Sequence, residues 1–356
     1  MRLASVFLIF LIVPQLPAQN PAKSPAPSQA RARTPARAHE TAEICGACVH
    51  GDLDFLASDE LHGRGSGTRD EHLAALYVAS LFQSFGLEAA GENGGYIQRA
   101  PLPNPLPERL AGYLKKHGFD QNERTDTWNA LGLLRGTDAG TGPAVAGEVI
   151  LLTAHLDHLG LGEAVNGDSI YNGADDDASG TTAVLELARA LSKGQRPRRS
   201  ILFVLFGSEE LGGYGNAYFL EHPPVRLTQI VANLEFEMIG NQDPKMPPGV
   251  LLLTGWERSN LGPALKEHGA LVGPDPYPEQ HFFERSDNYA LALQGVVAHT
   301  AAGWGTPPTY HQPDDDMDHL DLAFMTRAIQ SLIEPVRWLA SSDFRPQWNA
   351  GGQPQR

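Results

Sequence analysis

The chain has 356 residues, 42% of them hydrophobic, and a formal net charge of −15. This composition excludes wholesale disorder, because it supplies enough apolar side chains for a sizeable core. Residues 41–356 hold 22 of the 27 basic residues but 41 of the 42 acidic ones, which leaves them a charge of −19. Such an acidic body repels nucleic acid and anionic membranes, so we expect neither as a partner.

The first 42 residues are predicted to lie outside the folded domain. Residues 1–18 have the layout of a secretory signal peptide, with Arg2, the apolar stretch LASVFLIFLIV and a small residue at Ala18. Residues 19–42 are rich in Ala and Pro and predict a flexible linker. We therefore expect a secreted or periplasmic protein without stable membrane insertion after cleavage. An uncleaved N-terminal anchor is the alternative.

Two cysteines, Cys45 and Cys48, follow the linker in the segment EICGACVH. In an exported protein such a pair can close a small disulfide. A redox-active pair normally opens a helix after a strand, and no predicted strand precedes this segment. A redox function is therefore disfavoured.

The segment after the turn HGRGSG predicts an amphipathic helix. Thr68 and Glu71 have the spacing of a capping box. The predicted buried stripe consists of Leu73, Leu76, Tyr77, Leu81 and Phe85. HGRGSG itself resembles a phosphate loop, but it follows no strand and is interpreted as a turn.

From residue 128 onward, predicted strands alternate with predicted helices. The strands are the apolar runs NALGLL, EVILLTAH, SILFVLF, QIVANLEF, GVLLLTG and GVVAHT. The last helix, DLAFMTRAIQSLIEPVRWLA, should kink or break near Pro335. This alternation predicts an α/β fold of three α/β/α layers, with a mixed, mostly parallel central sheet and helices on both faces. We expect one domain over residues 43–341 and a flexible tail over residues 342–356.

Polar residues accumulate where the predicted strands end, which is where open α/β sheets bind ligands. His155 and Asp157 follow EVILL and would share a face if the strand continued. An aspartate in that position can orient a metal-binding histidine. Three acids, Asp175, Asp176 and Asp177, lie between glycines just before a helix. The alternatives are a surface histidine beside an acid, and acids that favour a helix N-terminus.

Further acids follow the next strands. Glu209 and Glu210 come after SILFVLF, and Glu235 and Glu237 lie in ANLEFEMIG. Adjacent buried carboxylates repel each other unless a cation or a proton lies between them. The loop TYHQPDDDMDH adds a tyrosine, a histidine and several acids. Two histidines with several carboxylates suit zinc, and two metals that share a carboxylate and a water are used by aminopeptidases and phosphatases.

The motifs AHLDHLG, NGADDDASG, FGSEELGGYG, FEMIG and YHQPDDD, in this order, resemble the zinc-dependent exopeptidases of the bacterial aminopeptidase S type. Glutamate carboxypeptidase and glutaminyl cyclase belong to the same superfamily. The likeness covers residues 128 to about 340. It implies the phosphorylase/hydrolase-like architecture of these enzymes and two Zn²⁺ ions per chain. The implied function is that of a metallo-aminopeptidase acting on peptides with a free N-terminus, and with the predicted signal peptide we expect an exported monomer.

The resemblance also implies a set of metal ligands. Asp176 would bridge the two zinc ions. His155 and Glu237 would complete one site, and Glu210 and His311 the other.

Three further residues receive roles from the same resemblance. Glu209 would be the general base that acts on the metal-bridging water. Asp157 would orient the first zinc-binding histidine. Tyr310 would donate a hydrogen bond to the tetrahedral oxyanion.

The chain departs from the family in two places. The family commonly has Asp where this chain has Glu237, and Glu235 lies on the same strand face. We favour Glu237 as the ligand because the following MIG fixes the register. Many bacterial relatives also carry an inserted protease-associated domain, and the segment before the catalytic histidine is too short here to hold one.

Three other functions stay open from the sequence. A glutaminyl cyclase would use a single zinc. A carboxypeptidase would need an arginine for the substrate carboxylate, for which Arg285 is a candidate. A catalytically dead binding module would keep the fold alone. Phe282 and Phe283 hint at a pocket for apolar side chains, although they can equally belong to the core.

Overall fold

The computed structural model describes residues 43–120, 122, 124–138 and 147–355. The predicted signal peptide and linker, residues 1–42, lie outside these residues. The helices are α1 (Gly46–Leu56), α2 (Arg69–Ser84), α3 (Glu108–Lys116), α4 (Gly180–Leu191), α5 (Tyr214–Glu221), α6 (Leu261–Glu267), α7 (Asn288–Leu293) and α8 (Leu322–Ser341). The strands are β1 (Glu88–Ala89), β2 (Ile97–Pro101), β3 (Asp126–Leu134), β4 (Val149–His155), β5 (Gly160–Val165), β6 (Asp168–Tyr171), β7 (Ser200–Phe206), β8 (Ile230–Glu237), β9 (Leu251–Leu253), β10 (Val272–Pro274) and β11 (Val297–Ala302). Of the described helices, none combines the length and the apolar character needed to cross a membrane.

The main sheet is mixed, with a parallel centre. Its strand order is β1-β3-β7-β4-β8-β11-β9-β10, and β2 also pairs with β3. The neighbours β7, β4, β8 and β11 run parallel, whereas β1, β2 and β3 join the sheet in antiparallel fashion. The carboxyl ends of the four central strands therefore meet at one edge of the sheet.

Helices cover both faces of this sheet. Along β4, Ile150 and Leu152 pack into the core that includes α1, α2, α4 and α8, whereas Val149 and Leu151 pack on the opposite side with α5 and α7. All seven residues of β4 are buried, as expected for a strand covered on both faces. The predicted fold class, three α/β/α layers around a mixed sheet, is confirmed.

The buried face of α2 differs from the predicted stripe. Leu76 is 45% exposed, and the helix instead buries Ala74, Ala75, Val78 and Phe82. Small side chains allow α2 to lie close to the sheet, and periodicity alone did not reveal that requirement.

The predicted capping box is only half formed. Thr68 caps α2 by accepting a hydrogen bond from the Glu71 N–H at 3.3 Å. The Glu71 carboxylate does not return to Thr68 but accepts hydrogen bonds from the N–H groups of Gly67 and Ser208, at 2.9 and 3.0 Å. Glu71 thus ties α2 to the loop that follows β7.

The C-terminal segment also differs from its prediction as a flexible tail. Trp348 packs against the core and donates a hydrogen bond from Nε1 to the Gly295 carbonyl at 3.2 Å. The Asn349 N–H donates to the Arg258 carbonyl at 2.8 Å. The preceding helix, α8, runs through Pro335 without a break. The domain therefore includes residues of the segment that was predicted to be a flexible tail.

The N-terminal helix carries a titratable group whose burial makes stability depend on pH. The Asp52 side chain is buried in α1, and its Oδ1 accepts a hydrogen bond from the Tyr77 hydroxyl at 2.8 Å. Burial raises the pKa of Asp52 from 3.8 to about 6. Between these two values the folded state keeps a proton that the unfolded state has released. The free energy of unfolding therefore falls as pH rises through this window.

We expect Asp52→Asn to remove this pH dependence, since the amide cannot ionise. The free energy of unfolding should rise by about 1–3 kcal/mol above pH 7 and change little near pH 4. Urea unfolding at both pH values measures the difference. Glu60→Gln, at an exposed position, is the matched control and should give no pH-dependent gain. An equal effect of Asp52→Asn at both pH values would contradict the assignment.

Candidate metal centre

The five predicted metal ligands converge at the carboxyl edge of the parallel strands. His155 and Glu237 are the last residues of β4 and β8. Asp176 lies in the turn before α4, Glu210 follows β7, and His311 lies in the loop after β11. The strand alignment thus brings together residues that are far apart in the sequence.

The first group consists of His155, Asp176 and Glu237. One ligand atom from each lies within 4.8 Å of the other two, and His155 Nε2 is 3.1 Å from Asp176 Oδ1. Glu235, the alternative to Glu237, is fully buried and accepts a hydrogen bond from the Asn288 N–H. The structure therefore brings Glu237, and not Glu235, into this group.

The second group shares Asp176 with the first. His311 Nε2 lies 3.2 Å from Asp176 Oδ2 and 3.1 Å from Glu210 Oε1. Asp176 thus presents Oδ1 to one group and Oδ2 to the other. This is the arrangement that a bridging carboxylate requires.

The structure adds His158 to the second group. Its Nδ1 lies 3.1 Å from Glu210 Oε1, and its side chain is fully buried. The ligand atoms of His158, Asp176 and Glu210 all lie within 4.8 Å of one another. His158 was not among the predicted ligands, although the second histidine of AHLDHLG was a signal for it.

Several buried atoms at the centre have no hydrogen-bond partner among the described residues. They are both ring nitrogens of His158, Asp176 Oδ1, Glu210 Oε1 and His311 Nε2. Buried polar atoms without partners are costly, and here His158 Nδ1 and His311 Nε2 each lie 3.1 Å from Glu210 Oε1. Imidazole nitrogens mixed with carboxylate oxygens suit zinc. The donor set therefore fits a pair of divalent cations.

The acids on either side of Asp176 hold the backbone in place. Asp175 Oδ1 accepts a hydrogen bond from the Gly240 N–H at 2.7 Å. The Asp177 carboxylate accepts hydrogen bonds from three backbone N–H groups, those of His155, Gly180 and Met238. The peptide bond between Asp176 and Asp177 is cis. Of the three adjacent acids, only Asp176 turns its carboxylate toward the candidate ligands.

Asp315 attaches the loop that carries His311 to the same turn. Its carboxylate accepts hydrogen bonds from the N–H groups of Asp175 and Asp176, at 2.8 and 3.0 Å. Its backbone carbonyl accepts from the Ala174 N–H at 3.0 Å. The second imidazole is thereby held near the shared carboxylate.

The Asp157 carboxylate lies beside His155 and also holds the Glu209–Glu210 segment. Its Oδ1 accepts from the Glu209 N–H at 3.0 Å, and its Oδ2 accepts from the Glu210 N–H at 3.3 Å and the Ser66 hydroxyl at 2.5 Å. His155 Nδ1 is 3.1 Å from the Asp157 backbone carbonyl but 3.7 Å from Oδ1 of its carboxylate. The two side chains are within ion-pair distance, and the role of Asp157 in orienting His155 stays a prediction.

The adjacent acids Glu209 and Glu210 have opposite pKa shifts. Burial raises the pKa of Glu209 well above its ordinary value, and the His155 charge offsets only part of this. Burial would also raise the pKa of Glu210, but His311 and the other imidazole contacts lower it to about 2. Their surroundings therefore give two like side chains different proton affinities.

One cavity joins the candidate ligands to an apolar wall. Glu209, Glu210 and Glu237 line it together with Tyr310 and Arg285. The wall is formed by residues that include Leu252, Phe282, Ala302 and Gly305. The Tyr310 ring stacks on that of His311 with centroids 3.9 Å apart.

Phe282 and Phe283 have different surroundings. Phe282 lines the cavity, whereas Phe283 is buried in the core against Trp348. Only the first of these two candidate pocket residues therefore borders the candidate site.

The turn HGRGSG stabilises the backbone around the centre through the side chain of Arg64. Arg64 is fully buried and donates hydrogen bonds to four backbone carbonyls, those of Leu56, Leu156, Asn172 and Gly173. Two of these carbonyls adjoin the turn of Asp176, and a third adjoins His155. The turn was predicted correctly, but the reach of its arginine was not.

Comparison with known proteins identifies the family. Residues 137–335 match peptidase family M28. Aminopeptidase YwaD of Bacillus subtilis is 25% identical over 207 residues, which cover 56% of this chain and 43% of that protein. The chain spans about two fifths of the length of the curated relatives that it matches first.

Solved structures share the fold. A zinc aminopeptidase from Bacillus subtilis has a TM-score of 0.59 at 16% identity, covering 84% of this chain and 96% of that one. The glutaminyl cyclase of Bacteroides thetaiotaomicron has a TM-score of 0.55 at 16% identity, covering 83% and 98%.

The class of protein defined by this fold and family is the metallo-exopeptidase class of hydrolases. The chain belongs to peptidase family M28, since more than half of its length matches that family. The predicted family and enzyme class are confirmed.

We expect Ser66→Ala to lower the rate of peptide hydrolysis by about 10–100-fold, as loss of a hydrogen bond behind a metal site typically does. Without the Ser66 hydroxyl, Asp157 holds the Glu209–Glu210 segment less firmly. The effect should fall mainly on kcat rather than KM. Ser80→Ala, at an exposed position on α2, is the control and should leave both constants unchanged. An unchanged kcat in Ser66→Ala would show that this contact is dispensable.

Proposed function

We propose that the protein is an exported dizinc aminopeptidase that removes N-terminal residues from peptides as a monomer. The observation that carries the proposal is the position of Asp176, whose two carboxylate oxygens face two separate ligand groups. The names of its relatives, which include an aminopeptidase and a zinc aminopeptidase, agree with it. Export is supported by the layout of residues 1–18.

The proposed zinc ligands form two sets that share a carboxylate. His155, Asp176 and Glu237 hold one ion, and Asp176, Glu210 and His311 hold the other. When bound, the zinc ions supply Lewis-acid polarisation of the scissile carbonyl and lower the pKa of water. The chain's own residues position the peptide and move the proton.

Glu209 is the proposed general base. It lines the cavity beside the two ligand groups without belonging to either. Its backbone N–H donates a hydrogen bond to Asp157, which fixes the position from which its side chain enters the site. It accepts a proton from the attacking water and returns that proton to the leaving amine.

The cavity suits a peptide with a free N-terminus. Glu209, Glu210 and Glu237 make one side of the cavity acidic, which favours a cationic α-ammonium group over a carboxylate. The wall with Leu252 and Phe282 suits an apolar first side chain. Tyr310 borders the same space, and its hydroxyl is the proposed donor to the oxyanion.

Glu209→Gln tests the base. The amide keeps the shape but cannot accept a proton, so we expect kcat to fall by about 100-fold or more. Zinc content and thermal stability should stay at wild-type values. Glu221→Gln, on the surface of α5, is the matched control. Turnover within a few-fold of wild type would rule out this role.

A second function has one supporting observation, the shared fold with a glutaminyl cyclase. A single-zinc cyclase would convert N-terminal glutamine to a ring and release ammonia without hydrolysing the peptide. A carboxypeptidase would instead use Arg285, which borders the cavity, to bind a substrate carboxylate. The functions differ in which end of the substrate must be free. The cyclase also differs in the number of zinc ions per chain.

One substrate panel separates the three functions. We expect hydrolysis of aminoacyl amides with a free amine, no cleavage of their N-acetylated forms, and two zinc ions per chain by elemental analysis. Chelator treatment should abolish the activity, and added zinc should restore it. Cyclisation of N-terminal glutamine with one zinc would replace the proposal with a cyclase. Cleavage of N-acetylated peptides at their C-terminus would replace it with a carboxypeptidase.

A further inference from the structure

The His158 imidazole is buried without the partners that a structural histidine has. Its side chain is fully buried, and neither ring nitrogen makes a hydrogen bond with a described residue. The buried His299 is different: its Nδ1 is 2.8 Å from the Thr254 carbonyl and its Nε2 is 2.6 Å from the Ser259 hydroxyl. Leaving His158 unpaired would be costly unless another group binds it.

The ring faces the same oxygens as His311. His158 Nδ1 lies 3.1 Å from Glu210 Oε1 and 3.9 Å from Asp176 Oδ2. The two imidazoles meet edge to face, with ring centroids 5.6 Å apart. Glu210 Oε1 has no hydrogen-bond partner among the described residues, so its short distance to Nδ1 lacks the alignment of a hydrogen bond. Such convergence without alignment is expected of ligands directed at a common ion.

Two backbone features hold the ring at this position. The His158 N–H donates a hydrogen bond to the Arg64 carbonyl at 3.1 Å. Gly173 has a φ of +63°, and a Cβ at this position would lie 2.5 Å from Cγ of the His158 ring. The glycine therefore leaves space that the imidazole fills. The hydrogen bond to Arg64 fixes the backbone of His158.

We propose that His158 is a ligand of the second metal ion, together with Asp176, Glu210 and His311. This inference rests on the proposed dizinc function. The second position then has two imidazoles, whereas the first has only that of His155. Because imidazole is a favoured zinc ligand, the second position binds zinc more tightly and fills first.

His158→Cys with cobalt(II) in place of zinc tests direct ligation. Both natural cysteines are joined in the Cys45–Cys48 disulfide, so position 158 carries the only free thiol of the variant. A thiolate bound to cobalt(II) gives a near-ultraviolet charge-transfer band, and we expect this band on cobalt addition. His50→Cys, on the exposed face of α1, is the control and should give none.

The outcomes are distinguishable. A band in His158→Cys supports ligation. Two bound cobalt ions without a band would overturn the inference and leave the dizinc function intact. A wild-type protein that binds fewer than two ions would instead overturn the proposed function.

X-ray absorption at the zinc edge gives a second test that needs no variant. Fully loaded wild-type protein should show three imidazoles for two ions, those of His155, His158 and His311. Two imidazoles for two ions would overturn the inference even if the cysteine variant fails to fold.

Zinc affinity gives the size of the effect. We expect His158→Asn to weaken zinc binding at the second position by at least about 10–100-fold. Removing a residue that only hydrogen-bonds a metal ligand already causes a loss of this size. The affinity of the weaker position should change less. Competition with a chromophoric chelator measures both constants, and unchanged values would contradict ligation.

Discussion

Repulsion among carboxylates brought to one sheet edge is the constraint on which this structure depends. Asp176, Glu209, Glu210 and Glu237 surround a single cavity, and Asp176 is 2% exposed. Water cannot solvate so many anions in so small a space, and proton uptake would have to neutralise part of them. Divalent cations offset the same charge without a proton. Metal binding and the stability of this edge are therefore linked, since the unfolded chain offers no preformed site.

The scaffold keeps these groups close by satisfying the backbone around them. Arg64 and Asp315 make hydrogen bonds to main-chain groups rather than to one another, so each ties several loops together. Three residues next to or within the centre, Ser208, Met238 and His311, have positive φ angles although none is glycine. Such conformations cost free energy and persist where surrounding contacts impose them. Ser208 and Met238 closely follow β7 and β8 and turn the chain at these strand ends, which allows neighbouring loops to meet.

The strands and candidate ligands were predictable because both follow from local pattern. SILFVLF became β7 residue for residue, and the five predicted ligands, His155, Asp176, Glu210, Glu237 and His311, reached the shared edge. Features that depend on distant contacts were not predictable. Ala74 and Ala75 face the core instead of Leu76, because the spacing between helix and sheet selects small side chains. The buried Arg64 bonds carbonyls up to 109 residues away, and no motif encodes that distance. Packing of the C-terminal segment escaped prediction for the same reason, since its partners come from elsewhere in the chain.

Fold likeness does not separate peptide hydrolysis from glutamine cyclisation, because aminopeptidase and cyclase structures have similar TM-scores, 0.59 and 0.55. The two functions differ in the number of zinc ions that they would use, one for a cyclase and two for the proposed aminopeptidase. In this chain the first position offers one imidazole, His155, and a glutamate, Glu237, where the resembling family commonly has the shorter aspartate. The second position shares Asp176 with the first and takes its other ligands from loops of its own. Occupancy of the first position therefore decides whether the site works with one ion or two, and the side chains that set this occupancy are few.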